Sequence, residues 1–413
     1  MRRISLALLL LCGATLTAAD WTRFRGPNGD GVAADDIPLN WSTKKNVAWS
    51  VPVEPGNSSP IIAKGKLYLM TASADGSKRA LVCLDAKTGK PNWERNFGGQ
   101  KVKVHAKSSL ASCTPATDES NVYCAVWDGQ TMAVHAFDHD GKPKWDYKLG
   151  KFVSQHGAGL SPVVHDGKVF INFDQDGAAE LLAIDAKTGD KVWSASRKAY
   201  RACYSTPTIR VLPDTKTEIV VYSTAGAAGY DPKTGAMNWS WVTPWEPGEM
   251  ALRSVASPLL AKDTLVCLNG DGSGSRYSAS VTIAGTKTTV NWEKRSSKLA
   301  PYVPCPIVKN DHIYWITDQG IAECVELKSG KILWSERATN NAVSASPVLV
   351  GGDKFIVVDE RGASIVFKAQ PKEFEKLGEG DIGEAVFASP AVADGKLYIR
   401  GAKKLYCISG KGA

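Results

Sequence analysis

The stretch LLAIDAKTGDKVWSA, residues 181–195, decides the fold because nearly the same phrase occurs again in the chain. The string LVCLDAKTGKPNWER, residues 81–95, repeats its apolar run, its aspartate, its Lys-Thr-Gly turn and its tryptophan. Self-similarity at a regular period indicates one supersecondary unit copied around an axis or along a line. No segment long enough to form a helix has the 3.6-residue periodicity of an amphipathic helix, which disfavours a helical solenoid.

Two markers count the copies of this unit. After the turn, a tryptophan recurs at Trp93, Trp145, Trp193, Trp239, Trp292 and Trp334. A proline opens an apolar run every 41 to 55 residues, at Pro60, Pro115, Pro162, Pro207, Pro258, Pro306, Pro347 and Pro390. Each proline run predicts two short strands, the run before the turn predicts a third, and the tryptophan stretch a fourth. Four-stranded antiparallel units at this period are blades, so the sequence predicts an all-β, eight-bladed β-propeller.

The two ends of the chain predict how the ring closes. The last unit begins at Pro390 and stops without a tryptophan strand, whereas NVAWSVPV, residues 46–53, supplies Trp49 ahead of the first unit. We therefore expect residues 46–53 to add the outer strand of the final blade, which removes two unpaired sheet edges. The seventh unit lacks the tryptophan and has Phe374 in the corresponding region. Residues 46–413 are thus assigned to the propeller and residues 20–45 to an N-terminal extension.

The recurring tryptophans are expected to be structural, because they occupy repeated positions rather than unique ones. Each would dock one blade on its neighbour, and fully burying a large apolar side chain contributes about 1.5–3 kcal/mol. The glycine that follows Lys-Thr supplies the positive φ of a tight hairpin turn. This prediction covers Trp49, Trp93, Trp145, Trp193, Trp239, Trp292 and Trp334.

Residues 1–19 are typical of a cleaved secretory signal peptide. Two arginines precede an apolar run from Ile4 to Leu11, and small residues follow up to Ala19. A transmembrane anchor is the alternative, but this run is shorter than the roughly 20 residues that a span needs. Lipidation of Cys12 is a second alternative, although Leu11 stands where a small residue is expected. We expect an exported protein of the periplasm or cell envelope, or an extracellular one.

Charge and cysteine content exclude several classes of protein. The formal net charge of +8 is mild for 413 residues and the charges are interspersed, so nothing indicates nucleic-acid binding. Cys83, Cys324 and Cys407 occupy matching places in apolar runs, which predicts core positions. Cys113 and Cys124 flank one predicted hairpin and are the pair we consider for a disulfide. No C-x-x-C spacing occurs and the six histidines are scattered, so no metal site is predicted.

The repeated phrases resemble a known family. LLAIDAKTGDKVW, GYDPKTGAMNW and LVCLDAKTGKPNW are similar to the tryptophan-docking repeats of pyrroloquinoline-quinone (PQQ)-like propellers. That superfamily includes quinoprotein alcohol dehydrogenases and BamB-like outer-membrane assembly proteins. The segments WTRFRGPNGDGV, GAGLSPVVHDGKVFINFDQDG and YSTPTI resemble a group of exported bacterial PQQ-like repeat proteins. The resemblance covers nearly the whole mature chain and implies the fold, but the superfamily mixes enzymes with scaffolds.

Ligands of propellers approach the mouth of the central channel, where loops lead into each innermost strand. Taking one residue before each proline gives the candidates Asn57, Lys107, His156, Arg201, Arg253, Tyr302, Asn341 and Glu384. Among them, Lys107, His156, Arg201 and Arg253 form a consecutive arc on blades two to five. Converging basic groups favour a carboxylate or phosphate, on a small ligand or on a protein partner. The alternative is that these are ordinary solvated loop residues.

Two functions remain open at this point. The first is a non-catalytic binding scaffold of the cell envelope, as a monomer or within an envelope complex. The second is a PQQ-dependent dehydrogenase that oxidises alcohols or sugars, whose relatives hold calcium with acidic and amide oxygens and often carry adjacent cysteines. This chain has no Cys-Cys pair, and Glu384 is the one acid among the candidates, with Asn57 and Asn341 as amides. Calcium takes six to eight oxygens, so we expect neither PQQ nor calcium and assign no catalytic residue.

Two further segments attract attention as binding loops. FDQDGAAE, residues 173–180, and NGDGSGS, residues 269–275, look like calcium or phosphate loops at first sight. Both fall where the second and third strands of a blade should turn, and turns favour Asp, Asn and Gly for conformational reasons. We therefore expect them to be ordinary hairpin turns.

Overall fold

The computed structural model describes residues 20–297 and 299–410. Over these residues the chain forms eight sheets of four antiparallel strands each. Strands that are consecutive in sequence are neighbours within each sheet, except at the join between the chain ends. The predicted eight-bladed propeller is confirmed. The predicted signal peptide, residues 1–19, lies outside the described residues.

The strand bounds follow the sequence repeat. The first strand is β1 (Val47–Pro52). Blades one and two comprise β2 (Ile61–Ala63), β3 (Lys66–Ala72), β4 (Lys78–Asp85), β5 (Pro91–Gly98), β6 (Ala116–Thr117), β7 (Asn121–Trp127), β8 (Thr131–Asp138) and β9 (Pro143–Lys151). Blades three and four comprise β10 (Val163–His165), β11 (Lys168–Asp174), β12 (Ala179–Asp185), β13 (Lys191–Arg197), β14 (Thr208–Val211), β15 (Thr217–Ser223), β16 (Gly226–Tyr230) and β17 (Met237–Val242).

The second half of the ring repeats the plan. Blades five and six comprise β18 (Leu259–Ala261), β19 (Thr264–Gly270), β20 (Ser275–Ala284), β21 (Lys287–Ser297), β22 (Ile307–Lys309), β23 (His312–Ile316), β24 (Ile321–Glu326) and β25 (Ile332–Arg337). Blades seven and eight comprise β26 (Val348–Val350), β27 (Lys354–Val358), β28 (Ala363–Lys368), β29 (Lys376–Asp381), β30 (Ala391–Ala393), β31 (Lys396–Arg400) and β32 (Lys404–Ile408). Innermost strands follow the marker prolines, as predicted.

Blade eight joins the two ends of the chain. Strand β1 pairs antiparallel with β32, placing Trp49 opposite Cys407 and Val51 opposite Leu405. The sheet order β1-β32-β31-β30 makes the N-terminal strand the outer edge of the last blade. The predicted ring closure is therefore confirmed, and it ties residues more than 350 positions apart into one sheet.

The tryptophans join successive blades. In six of them the indole Nε1 donates a hydrogen bond to a backbone carbonyl of the following blade, at Ala86, His139, Ala186, Pro232, Leu327 and Gln370. In five of these six joints the turn glycine of the next blade packs against the indole; a Cβ added at Gly189, for example, would lie 2.7 Å from Trp145. One repeated phrase thus supplies both halves of the joint, which explains its recurrence. Trp239 differs, since its Nε1 donates to Glu218 within its own blade.

The aspartate before the turn holds the turn itself. Asp185 accepts hydrogen bonds from the backbone N–H groups of Lys187 and Thr188 through Oδ1. Asp85 accepts from both the backbone and the hydroxyl of Thr88 in the same way. These bonds hold the pKa of Asp85 and Asp185 below the usual value of 3.8. The carboxylates are therefore turn-forming groups, as their positions in a repeat suggest.

Blade seven departs from the prediction made for Phe374. The register pairs Val366 with Gly378 at the step where blade one pairs Cys83 with Trp93, so Gly378 occupies the tryptophan position. Phe374 lies before strand β29 and packs edge-on against Trp334, with ring centroids 5.8 Å apart. The assignment of Phe374 to the tryptophan position is thus wrong.

The N-terminal extension fills the space that blade seven leaves. Trp41 forms a parallel bridge with Gly380, and its indole would be 2.1 Å from a Cβ at that glycine. A Cβ added at Gly378 would likewise lie 2.1 Å from the carbonyl oxygen of Leu39. Glycine is required at both positions because a segment remote in sequence packs directly on the strand backbone. A local comparison of repeats carries no information on this contact.

The same extension crosses the end of the channel away from the mouth. Trp21 pairs with Ile62 of blade one, and the carbonyl of Thr22 accepts from Thr117 of blade two. On the other side of the axis, the Arg25 guanidinium donates to the carbonyls of Cys305 and Pro306 of blade six. Between these contacts Phe24 lies beneath the channel, so the extension forms its floor.

The described cysteines are free and buried. Cys83, Cys324 and Cys407 are core residues, as predicted. Cys113 and Cys124 are unpaired thiols, so the disulfide that we considered is not formed. Over the described residues, no helix has the length and apolar character needed to cross a membrane.

Candidate binding site at the channel mouth

A cavity of about 750 Å³ occupies the central channel. Phe24 of the extension lies at its floor, and the loops that lead into the innermost strands surround its mouth. Of the eight predicted site residues, six line this cavity: Asn57, Lys107, His156, Arg201, Arg253 and Tyr302. The structure therefore brings the predicted residues of blades one to six together around one cavity.

A belt of side chains encircles the channel directly before the marker prolines. The belt consists of one residue per blade: Ser59, Thr114, Ser161, Thr206, Ser257, Cys305, Ser346 and Ser389. In seven of the eight steps around the ring, the backbone N–H of one belt residue donates to the side chain of the next, at 2.9–3.2 Å. The last step, Ser389 to Ser59, closes the circle. The Ser/Thr-Pro pattern was visible in the sequence, but its role in closing the ring was missed.

Arg201 and Arg253 lie side by side at the mouth. Arg253 is 2% exposed, and its guanidinium donates to the carbonyl of Ala202 and to Oε1 of Gln155. Its Nε is buried without a partner among the described residues. Arg201 donates to the carbonyl of Ala251 and contacts the sulfur of Met250. Over residues 20–297 and 299–410, neither guanidinium forms an ion pair with a carboxylate.

Two histidines adjoin these arginines. The rings of His105 and His156 meet edge to face with centroids 5.0 Å apart. Burial lowers the pKa of His156 below its usual 6.5, and the positive charges of Arg253, His105 and Arg201 lower it further, with Asp176 opposing them. His156 is therefore neutral near pH 7 and becomes an additional cation in acid, or when a bound anion offsets its neighbours.

Lys107 and Asn57 line the cavity but are already engaged. The Lys107 ammonium forms an ion pair with Glu360 of blade seven, 2.5 Å from Oε1. Glu360 also accepts from the hydroxyl of Ser344. The Asn57 amide donates to the carbonyl of Lys107 and so fixes the loop that carries it. Of the predicted basic arc, Lys107 thus has a counter-charge within the described part of the chain, whereas Arg201 and Arg253 have none there.

An ion pair missed by the sequence analysis forms another part of the wall. Arg276 lies 3.4 Å from Oδ2 of Asp318, and its guanidinium stands over the ring of Tyr302 at 5.2 Å. Asp318 also accepts the backbone N–H groups of Tyr302 and Val303. Burial raises the pKa of Asp318, and these partners oppose the rise. The pair positions Tyr302, the predicted candidate of blade six, on the wall.

Asn341 and Glu384 do not line the cavity. The Asn341 amide donates to Oδ2 of Asp359 in its own blade, 2.9 Å away. Glu384 accepts the hydroxyl of Tyr406 and the backbone N–H of Lys403 in blade eight. Both side chains are engaged by donors or acceptors close to them, so the prediction that they reach the mouth is wrong. Ser344 and Phe387 line the cavity on these blades instead.

The donor set at the mouth does not suit a calcium-held quinone. Calcium needs six to eight oxygens, several from carboxylates. Asp318 is engaged by Arg276 and two backbone N–H groups, Glu360 by Lys107 and Ser344, and Asp271 by Ser273. Within the described ranges, no three His, Cys, Asp or Glu side chains gather as a metal site. The residues present therefore do not fit this cofactor, and we derive no chemistry through it.

These features define a class of protein: a closed eight-bladed propeller docked by repeated tryptophans, with a channel floored by its own N-terminal extension. The model of the family described as "Outer membrane protein assembly factor BamB" matches residues 103–336, more than half of the chain. The protein belongs to this family.

Two curated relatives match part of the chain. It is 24% identical over 234 residues to outer membrane protein assembly factor BamB of Moranella endobia (strain PCIT), covering 50% of this chain and 55% of the relative. It is 27% identical over 200 residues to lupanine 17-hydroxylase (cytochrome c) of Pseudomonas sp, covering 44% and 27%. The chain therefore spans about half of one relative and about a quarter of the other.

Solved structures extend the likeness to nearly the whole chain. BamB from Moraxella catarrhalis superposes with a TM-score of 0.64 at 14% identity, covering 89% of this chain and 98% of that one. A europium-containing methanol dehydrogenase superposes with a TM-score of 0.69 at 13% identity, covering 94% and 98%. At these identities the likeness concerns the fold alone, and it includes both a BamB and a methanol dehydrogenase, so it does not decide the function.

Proposed function

We propose that the protein is a non-catalytic binding scaffold of the cell envelope that holds an anionic group, on a protein partner or a small ligand, at its channel mouth. The observation that carries the proposal is the pair Arg201 and Arg253, two neighbouring guanidinium groups that form no ion pair among the described residues. Membership of a family described by an outer-membrane assembly factor supports the envelope setting and a partner-binding role.

Electrostatics favour an anion at this position. Arg253 is buried, and a buried cation without a counter-charge is costly. A carboxylate or phosphate placed between Arg253 and Arg201 would supply that charge through charge-assisted hydrogen bonds, which are about twice as strong as neutral ones. The low-dielectric walls of the channel would focus the positive potential toward the mouth.

Exposed apolar side chains around the arc support a protein partner. Val153, Tyr200, Met250 and Leu299 are 42%, 48%, 69% and 56% exposed, one in each loop that precedes blades three to six. Exposed large apolar groups beside arginines are typical of the central residues of protein interfaces. The rim therefore suits an acidic segment that carries apolar side chains.

Binding of short charged peptides tests the proposal. Calorimetric titration of the mature protein with hexaglutamate should give saturable binding that weakens with salt, whereas hexalysine should give none. Arg201→Gln should weaken hexaglutamate binding by about 1.5–3 kcal/mol, the worth of a hydrogen bond between charged groups. Lys287→Gln removes a charge from an exposed turn at the other end of blade five and is the matched control. Equal affinities for the wild type and Arg201→Gln would reject the proposal.

A second candidate is a quinone-dependent oxidoreductase. The match to lupanine 17-hydroxylase over 200 residues favours it, and the engaged carboxylates at the mouth count against it. Adding pyrroloquinoline quinone and calcium to the purified protein separates the two candidates. A spectral shift together with dye-linked oxidation of an alcohol or sugar would replace the scaffold proposal with this one.

A further inference from the structure

The belt offers hydrogen-bond donors that the protein does not use. Each accepting belt hydroxyl receives a backbone N–H from the preceding blade, which occupies an oxygen lone pair and leaves the hydroxyl proton free. Among the described residues, none of these hydroxyls donates to another protein group. Ser59, Thr114, Ser161, Ser346 and Ser389 are at most 6% exposed and line the cavity. Buried donors without acceptors call for a ligand or water that supplies oxygens.

Aromatic side chains also line the cavity. Tyr204 and Tyr302 line the wall on blades four and six, Phe387 lines it on blade eight, and Phe24 lies at the floor. The hydroxyl of Tyr204 is held by Ser154 at 2.6 Å, and Tyr302 is covered on one side by Arg276. These rings present fixed apolar surfaces inside an otherwise polar chamber.

The chamber is large enough for more than a bare anion. Its volume of about 750 Å³ lies within the range of about 300–1,000 Å³ typical of pockets that enclose drug-sized ligands. Because the extension closes the floor, a ligand enters from the mouth and its far end meets the belt. A ligand that satisfies the whole chamber therefore needs an acid at one end, hydroxyl oxygens at the other and apolar C–H faces between them.

We propose that the cavity binds an acidic saccharide, with its carboxylate at Arg201 and Arg253 and its hydroxyl oxygens on the belt. Sugar hydroxyls accept and donate hydrogen bonds, which matches the free protons of the belt, and sugar ring faces pack on aromatic side chains. This inference rests on the proposed function, since it keeps the anionic group at the mouth, and it adds the class of small molecule to which that group belongs.

Three small-molecule probes test the ligand class. Digalacturonate carries both the acid and the hydroxyls, succinate carries the acid alone, and lactose carries the hydroxyls alone. Calorimetry should give an affinity for digalacturonate at least tenfold higher than for either of the others. If succinate binds as tightly as digalacturonate, the saccharide inference is overturned while the anion-binding proposal stands. If lactose binds as tightly as digalacturonate and Arg201→Gln changes nothing, the anion-binding proposal fails.

Belt variants test where the saccharide lies. Ser161→Ala and Ser346→Ala each remove a hydroxyl that lines the cavity and should weaken digalacturonate binding about two- to tenfold. Succinate binding should remain unchanged, because succinate ends at the mouth. Ser257→Ala is the matched control: Ser257 accepts the Thr206 N–H in the belt but does not line the cavity. Equal losses in Ser161→Ala and Ser257→Ala would show a structural effect and overturn the placement.

Discussion

The joint between Trp145 and Gly189 is expected to be a measurable source of stability between blades two and three. Gly189 has φ = 82°, a conformation that costs other residues about 1–2 kcal/mol. An added Cβ would also stand 2.7 Å from the Cγ and Cδ2 atoms of Trp145, and overpacking of this kind costs about 1–3 kcal/mol. Gly189→Ala should therefore lower the free energy of unfolding by about 2–5 kcal/mol in urea denaturation.

The same blade provides a matched control for this prediction. Gly167 has φ = 68° in the neighbouring turn, but nothing lies within 4 Å of the position that an added Cβ would take. Gly167→Ala should therefore lower the free energy of unfolding by about 1–2 kcal/mol, because only the unfavourable backbone conformation contributes there. In a Trp145→Leu background, Gly189→Ala should lose its excess over Gly167→Ala because the indole is gone. Equal destabilisation by the two glycine variants, or an unchanged excess in that background, would refute the docking account.

Three further predictions follow from burial and charge. Burial and nearby cations hold the pKa of His156 below 6.5, and a bound anion would raise that pKa. The affinity for hexaglutamate should therefore rise as the pH falls from 7.5 to 5.5 in calorimetry, and this rise should shrink in His156→Gln. The described cysteines are buried, and burial raises the pKa of Cys83 to about 11. A thiol reagent should therefore label the native mature protein negligibly and the unfolded protein fully, and rapid labelling of the native protein would contradict this prediction. Trp41→Ala should lower the free energy of unfolding by about 3–5 kcal/mol and make residues 20–45 accessible to proteases, because Trp41 is 4% exposed. An unchanged digestion pattern would contradict the packing of Trp41 on blade seven.

The repeat was predictable because each blade uses the same local turn and packing contacts. The marker prolines set the start of every innermost strand, and the tryptophan, aspartate and glycine recur because one joint uses all three. Blade seven was not predictable in this way. Its tryptophan position is Gly378, and the partner that makes glycine necessary there is Leu39, more than 300 residues away in sequence.

The candidate site was predictable only in part from the residues that precede each marker proline. Arg201 lies six and Arg253 five residues before the marker proline, and both reach the mouth. Distance to the proline does not decide this, because Asn341 and Glu384 also lie six residues before theirs. Asn341 and Glu384 belong to the two most closely spaced repeats, and hydrogen bonds within their own blades hold their side chains away from the cavity. Asp318 lies in the turn between β23 and β24, and Arg276 at the start of β20. A rule that samples only the residues before each proline could not find these positions.

Hydrogen exchange with and without hexaglutamate tests the central claim, an anion site at the channel mouth, most directly. The account predicts protection of backbone amides in residues 152–158, 199–206 and 249–256, the loops around Arg201 and Arg253. The turns at the opposite end, such as residues 185–191, should exchange at the same rate in both samples. Protection confined to those turns or to the outer strands, with the mouth loops unchanged at saturating peptide, would contradict it.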